Sequence, residues 1–344
     1  MNSELRQDLV SGDWIVLSPQ RAKRPADLIK KSEKRKKAPL KGCPFEDPQK
    51  SGNGEPILIY PTKSQKLKTK NLFEWWVQII QNKYPVFVSG LDSKDGIHIC
   101  ASVFQKGPYL VIDGRGYHDL VITKNHHKNF AHLPEQQAEA VLKIFQNRYK
   151  MFLNDSCLAY TSIFHNWGPK SGASIYHPHY QIIALPVIPP DVQHSLNGSS
   201  DYFKKYRKCV HCVMIEWEKK NRSRVVFENK GAIAFTPFVS REPFEVRIFP
   251  KSHSPFFEDA PKKELSDVVE ALQNILLKIE KKLNDPDYNF FIHTAPIRDK
   301  QKYGHYHWHI EILPKISTSA GFELGTGIEI TVVDPDEAAK ILKL

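Results

Sequence analysis

The chain has 344 residues, enough for about two domains and a core that needs no staples. With 41% hydrophobic and 25% charged residues, wholesale disorder is excluded. No run approaches the roughly 20 apolar residues of a membrane span, the polar start MNSELRQDLVSGDW lacks a signal-peptide core, and five cysteines suggest no disulfide scaffold. A cytoplasmic protein with reduced thiols is the expectation. The net charge of +11 is concentrated in RAKRPADLIKKSEKRKKAPLK, residues 21–41. With no nucleic-acid-binding signature beside it, the excess fits a polyanionic small substrate.

In chain order, strand-like runs come first: KYPVFVSGL, DGIHICASVF, GPYLVID and GYHDLVIT. Residues 134–153 then place Ala138, Val141, Leu142, Phe145 and Phe152 on a 3.6-residue period, which predicts a helix opening at proline. A strand ending in His165, a loop and a strand carrying His177 and His179 follow. PPDVQHSLNGSSD reads as a boundary near residues 190–205. The second half repeats the order: SRVVFEN, GAIAFTPF and FEVRIFP, a helix over 261–283, a strand ending in His293, and a strand with His305, His307 and His309. His165 to His179 and His293 to His307 are both 14 positions apart. The fold class predicted is α+β: two tandem domains of common design, residues 1–195 and 196–344, each an antiparallel sheet with a long helix. Cys100 and Cys157 lie in apolar runs and read as core, as do Trp75 and Trp76. His126, His127 and His132 receive no role.

Residues two apart on a strand share a face, so His177, His179 and Gln181 point together. Upstream, Lys170-Ser171-Gly172-Ala173-Ser174 offers small residues and a hydroxyl, which beside a histidine face reads as a phosphate cradle.

FHNWGPKSGASIYHPHYQ resembles the active-site segment of the galactose-1-phosphate uridylyltransferase family, the nucleotide-transferring branch of the histidine triad superfamily. SPQRAKRP, NKYPVF, GYHDLVI and AGFELGTG are similar to further family motifs, in the family's order along nearly the whole chain. The resemblance implies ping-pong transfer: His179 attacks the α-phosphorus of a nucleotide sugar, and a second phosphate attacks the nucleotidyl-histidine. A phosphate leaving group needs little protonation, which gives a reason for Gln181 where related hydrolases carry a third histidine. By the same resemblance Asn166, Gly172, Ala173 and Ser174 hold phosphates, Asn82 and Lys83 meet the nucleoside, and Arg21 and Arg24 neutralise the diphosphate.

The family often binds zinc. Carried over, the first set of ligands is Cys43, Glu46, His118 and His177, with Glu46 where the family has cysteine. The repeat register adds Cys209, Cys212, His253 and His305. A third family arrangement uses histidines resembling His293, His307 and His309 with a glutamate, and no glutamate between Gln181 and Glu216 completes it. The family is dimeric, with a C-terminal segment reaching the neighbour's site, so Phe322 and Glu323 are expected to act in trans. The implied reaction is UDP-glucose with galactose 1-phosphate. The closing segment is also similar to the ADP-glucose phosphorylase branch, whose acceptor is inorganic phosphate. Two competing readings are a histidine-triad hydrolase with His307 as nucleophile and a non-catalytic nucleotide sensor.

Overall fold

The computed structural model describes residues 2–21, 35, 37–61, 75–89, 100 and 102–344. Arg24, expected at the diphosphate, lies outside them, as does most of the basic segment. Two strands near the start, β1 (Glu4–Gln7) and β2 (Trp14–Leu17), are followed by β3 (Leu58–Pro61), β4 (Trp75–Gln81), the hairpin β5 (Val103–Lys106) and β6 (Tyr109–Ile112), and β7 (Tyr117–Thr123). Helix α1 (Glu135–Phe152) leads to β8 (Tyr160–Trp167) and β9 (His179–Leu185). Helices α2 (Pro190–Tyr206) and α3 (Val210–Asn221) precede β10 (Val225–Glu228), β11 (Ala232–Phe235) and β12 (Val246–Pro250). Helix α4 (Lys262–Leu283), β13 (Tyr288–His293), β14 (His309–Pro314), α5 (Gly321–Thr326), β15 (Glu329–Thr331) and α6 (Pro335–Lys343) complete the chain. No helix among the described residues is long and apolar enough to cross a membrane.

Ten strands form one sheet in the order β10-β11-β12-β14-β13-β8-β9-β7-β4-β3. The halves meet where β13 pairs antiparallel with β8, Phe291 opposite Phe164 and Asn289 opposite Asn166. Strand alternation sorts the side chains. Val77, Val121, Ile163, Tyr180, Ile182, Phe290, Ile292, Ile310 and Ile248 turn to one face and pack with α1 and α4 in a single core. On the opposite face the same strands present Asn166, His179, Gln181, His118, Asn289, His293, His309 and Glu311. A period-2 sequence that alternates core and polar groups therefore gives one face to stability and the other to chemistry.

Three expectations need correction. The segment 190–205 is helix α2, and the boundary expected at 195/196 falls inside it. Its serines and asparagine suggest a linker, yet Pro189 and Pro190 start a helix that buries Val192, Leu196 and Ser199. Gly198 is required there: a Cβ would sit 1.6 Å from the Val10 carbonyl oxygen of the crossing N-terminal segment. Cys100 and Cys157 are not reduced core thiols but are bonded to each other as a disulfide, leaving Cys43, Cys209 and Cys212 free. Finally, NKYPVF is not a strand; it forms bends beyond the end of β4.

Candidate active site and metal centres

His179 opens β9, 7% exposed, at the mouth of the polar face. Its Nδ1–H donates to the His177 carbonyl oxygen at 2.9 Å. That bond fixes the tautomer and leaves the lone pair on Nε2. Burial pulls its pKa below the ordinary histidine value, so the ring stays neutral. Phe45 packs edge-on against it, 5.1 Å between ring centroids, and walls one side. Behind the strand, the buried His165 donates from Nδ1 to the His179 carbonyl oxygen at 2.7 Å and holds the main chain in place.

Asn166 and Gln181 share the face with His179. Asn289, from the second half, donates to Asn166 Oδ1 at 2.8 Å and to the Ser171 carbonyl at 2.9 Å. This orients the Asn166 amide with its Nδ2 toward Gly172. In the loop, Gly168 and Gly172 take positive φ angles that favour glycine. The Gly172 and Ala173 amides close the turn onto the Pro169 and Gly168 carbonyls. They are not open phosphate donors in this conformation. Ser174 is exposed, and its hydroxyl and amide have no protein partner among the described residues. Lys83 is exposed beside Gly52, while Asn82 lies against the His118 ring.

Arg21, Phe322 and Glu323 sit elsewhere. Phe322 and Glu323 lie on the exposed helix α5, where Arg21 is close enough to lower the Glu323 pKa after main-chain hydrogen bonds have done so. No contact joins them to His179 among the described residues.

Two cation-shaped clusters flank the face. In the first, Cys43, Glu46, His126 and His177 bring donor atoms within 4.8 Å of one another. His177 donates Nε2–H to the Thr123 carbonyl at 2.6 Å, and His126 Nε2 reaches the Ala38 carbonyl at 3.2 Å. Both Nδ1 lone pairs are thus left facing Glu46 Oε1, at 3.2 and 2.7 Å. Two imidazole lone pairs, a carboxylate and a sulfur that converge in this way fit a divalent metal, the imidazoles being oriented by carbonyls behind them. His118, the expected fourth ligand, is not in the cluster; His126 holds that place.

The second cluster is Cys209, Cys212, His253 and His307. His253 and His307 donate Nε2–H to the Gly304 and Pro250 carbonyls at 2.9 and 3.0 Å, and turn Nδ1 to Cys212 Sγ at 3.4 and 3.5 Å. His305 is not a member; its Nε2 faces the Leu196 carbonyl. The equal 14-residue spacings are therefore misleading. His177 and His307 make the same contacts, as do His179 and His309, whose Nδ1–H donates to the His307 carbonyl at 3.0 Å. His126 and His253 each stand three residues after the carbonyl that holds that imidazole. Matched on these contacts, Gln181 corresponds to Glu311.

At that second position Glu311 supplies the carboxylate that the sequence search missed, because it lies on the histidine strand itself. His293, His309 and Glu311 cluster, but Glu311 is already paired with Arg241 and Arg247. The His309 Nε2 is turned to Glu311 at 3.5 Å. The only lone pair of His307 is on Nδ1 and is turned to Cys212, so the geometry opposes His307 as a nucleophile.

Comparison with known proteins identifies the family. A family model described as a domain of unknown function (DUF4921) matches residues 88–343. An ADP-glucose phosphorylase of Arabidopsis thaliana is 32% identical over 342 residues, covering 99% of this chain and 92% of its own. A galactose-1-phosphate uridylyltransferase of Thermotoga maritima is 26% identical over 348 residues, covering 99% and 98%. The crystal structure of the Arabidopsis thaliana ADP-glucose phosphorylase with bound ADP-glucose superposes with a TM-score of 0.80 at 30% identity, over 99% of this chain and 98% of that one. The chain belongs to the galactose-1-phosphate uridylyltransferase family of the histidine triad superfamily, a family that includes ADP-glucose phosphorylase-like members.

Proposed function

We propose that the protein is a hexose-1-phosphate nucleotidyltransferase that works through a covalent nucleotidyl-His179. The single observation that carries the reading is the His179 tautomer: Nδ1–H bound to the His177 carbonyl, Nε2 bare on a polar face. Nε2 attacks the α-phosphorus of a nucleotide sugar. An N–P bond forms as the bond to the β-phosphate oxygen breaks, and sugar 1-phosphate leaves. The oxygen of a second phosphate then attacks the same phosphorus and frees His179. Neither half needs a proton donated to the leaving group: in the first the sugar 1-phosphate departs as a stable anion, and in the second His179 departs as a neutral imidazole that keeps its proton on Nδ1. Asn166 and Gln181 offer amide donors to the phosphoryl oxygens, whose charge is spread during transfer.

Zinc in the first cluster, when bound, would fix His177, whose carbonyl holds His179 in its tautomer. The Cys209–Cys212–His253–His307 set has the ligands of a structural zinc site. A homodimer in which α5 enters the neighbouring copy's site would bring Phe322 and Glu323 to the acceptor. The compartment proposed is the cytoplasm, where Cys43, Cys209 and Cys212 stay available as thiolate ligands and the Cys100–Cys157 bond is subject to reduction.

The donor is either UDP-glucose, with galactose 1-phosphate as acceptor, or ADP-glucose, with inorganic phosphate. The second pair is favoured by the higher identity to the ADP-glucose phosphorylase, 32% against 26%. The test is product analysis with each pair by anion-exchange chromatography. ADP and glucose 1-phosphate from ADP-glucose and phosphate support the phosphorylase; UDP-galactose from the other pair supports the uridylyltransferase. No transfer with either pair would defeat the reading.

A further inference from the structure

His118, displaced from the metal cluster, has another task. It stands on β7 on the same face as Gln181, 6% exposed. The main-chain N–H of Val86 donates to His118 Nδ1 at 3.2 Å. A main-chain amide can only donate, so Nδ1 must accept, and the ring's one proton sits on Nε2. Nε2 in turn lies 2.8 Å from Gln181 Oε1. Asn82 Oδ1 accepts from the Tyr84 amide at 3.0 Å, which turns its Nδ2 onto the imidazole; of the two ring nitrogens only Nδ1, 3.4 Å away, can accept from it, since Nε2, 3.1 Å away, carries the proton.

A glutamine amide can present either its oxygen or its NH2 to a ligand, and only its neighbours decide which. We propose that His118 is a positioning residue that holds the Gln181 oxygen on its Nε2–H, so that the Gln181 NH2 faces the phosphoryl group carried by His179. Rotated by half a turn, Gln181 would set its oxygen against the phosphoryl oxygens, acceptor against acceptor. The order Val86 N–H to His118 to Gln181 to phosphate thus relays the direction of one backbone donor into the site. Gln181 Nε2 has no acceptor among the described residues, as a group reserved for a ligand requires. The corresponding second-half position carries Glu311, held by arginines, and presents no such donor. This inference rests on the nucleotidyl-His179 reading.

The test is the rate of nucleotidyl-enzyme formation and steady-state turnover in His118→Leu, Gln181→Ala and the double variant, with metal content and melting temperature measured on each. His118→Leu is expected to lower kcat by up to about 100-fold, the cost of misplacing a group that meets a developing anion, with a much smaller change in KM. In the Gln181→Ala background the same change should cost almost nothing further, because the effect passes through Gln181. His118→Gln, which keeps a side-chain NH near the Nε2 position, should restore most of the rate, and bound metal should match the unaltered protein in every variant. Additive losses, an unchanged rate in His118→Leu, or loss of bound metal would each overturn the proposal. If His118→Leu does not fold, His118→Asn, too short to reach Gln181, is read in the same cycle. Absence of any nucleotidyl adduct in the unaltered protein would instead refute the underlying reading, and this inference with it.

Discussion

Asn289 is the sharpest case of one half serving the other. Its Nδ2 makes two hydrogen bonds, to Asn166 Oδ1 and the Ser171 carbonyl. Asn289→Leu keeps the volume and removes both donors. At about 1 kcal/mol net for each bond, the loss of stability is about 2 kcal/mol. With an unfolding entropy of about 2.1 cal/mol/K per residue, a chain of this length shifts by about 1.4 °C per kcal/mol, so Tm should fall by about 3 °C. Activity should suffer far more, since the freed Asn166 amide rotates. A fall in kcat of about 10- to 100-fold is expected from the lost orientation. Asn289→Asp should be worse than Asn289→Leu. A carboxylate accepts only, so Asn166 must turn its NH2 away from the substrate and present oxygen to phosphate. The assay is single-turnover formation of the nucleotidyl-enzyme beside calorimetric Tm. A wild-type rate in both variants, with Tm lowered as expected, would refute the claim that Asn289 orients a catalytic donor.

Glu46→Ala and Cys212→Ser should each lower bound metal by one equivalent per chain, and Glu46→Cys should tighten the first site; elemental mass spectrometry gives the count, and unchanged content in the first two would refute the cluster assignments. Buried His165, its pKa pushed down to about 3 by burial, binds no proton in the fold but does so when unfolded. Stability should therefore fall as pH drops from about 6.5 toward 3, at about 1.4 kcal/mol per pH unit for this group, and His165→Phe should flatten that slope in denaturant titrations. Gly198→Ala drives a Cβ into the Val10 carbonyl and should cost about 1–3 kcal/mol. Its damage should appear first as faster hydrogen exchange in β1 and β2; protection equal to wild type would contradict the close approach.

Much of the architecture was legible because two periodicities survive in the sequence. Leu265, Val268, Val269, Leu272, Leu276 and Ile279 mark α4 by themselves, and the alternation through His177, His179 and Gln181 marks the polar face. The metal ligands were readable in kind but not in register. Both halves show a 14-residue histidine spacing, yet the loop from Asn166 to His177 is shorter than its counterpart from His293 to His307, so letter matching chose His305 over His307. His126 could have been found by counting three residues on from each strand end, as His253 stands from Pro250. Asn289, Phe45 and the Cys100–Cys157 pairing carry no local signal. Each gains its role from a partner distant in sequence, which only the sheet order and loop packing bring near.

The most direct test of the central claim is intact-protein mass spectrometry after brief mixing with ADP-glucose or, separately, UDP-glucose, with His179→Ala alongside. A mass gain of one nucleoside monophosphate, discharged by adding phosphate or galactose 1-phosphate and absent in His179→Ala, is the expected result. A gain that persists in His179→Ala, or none with either donor, would contradict His179 as the nucleophile.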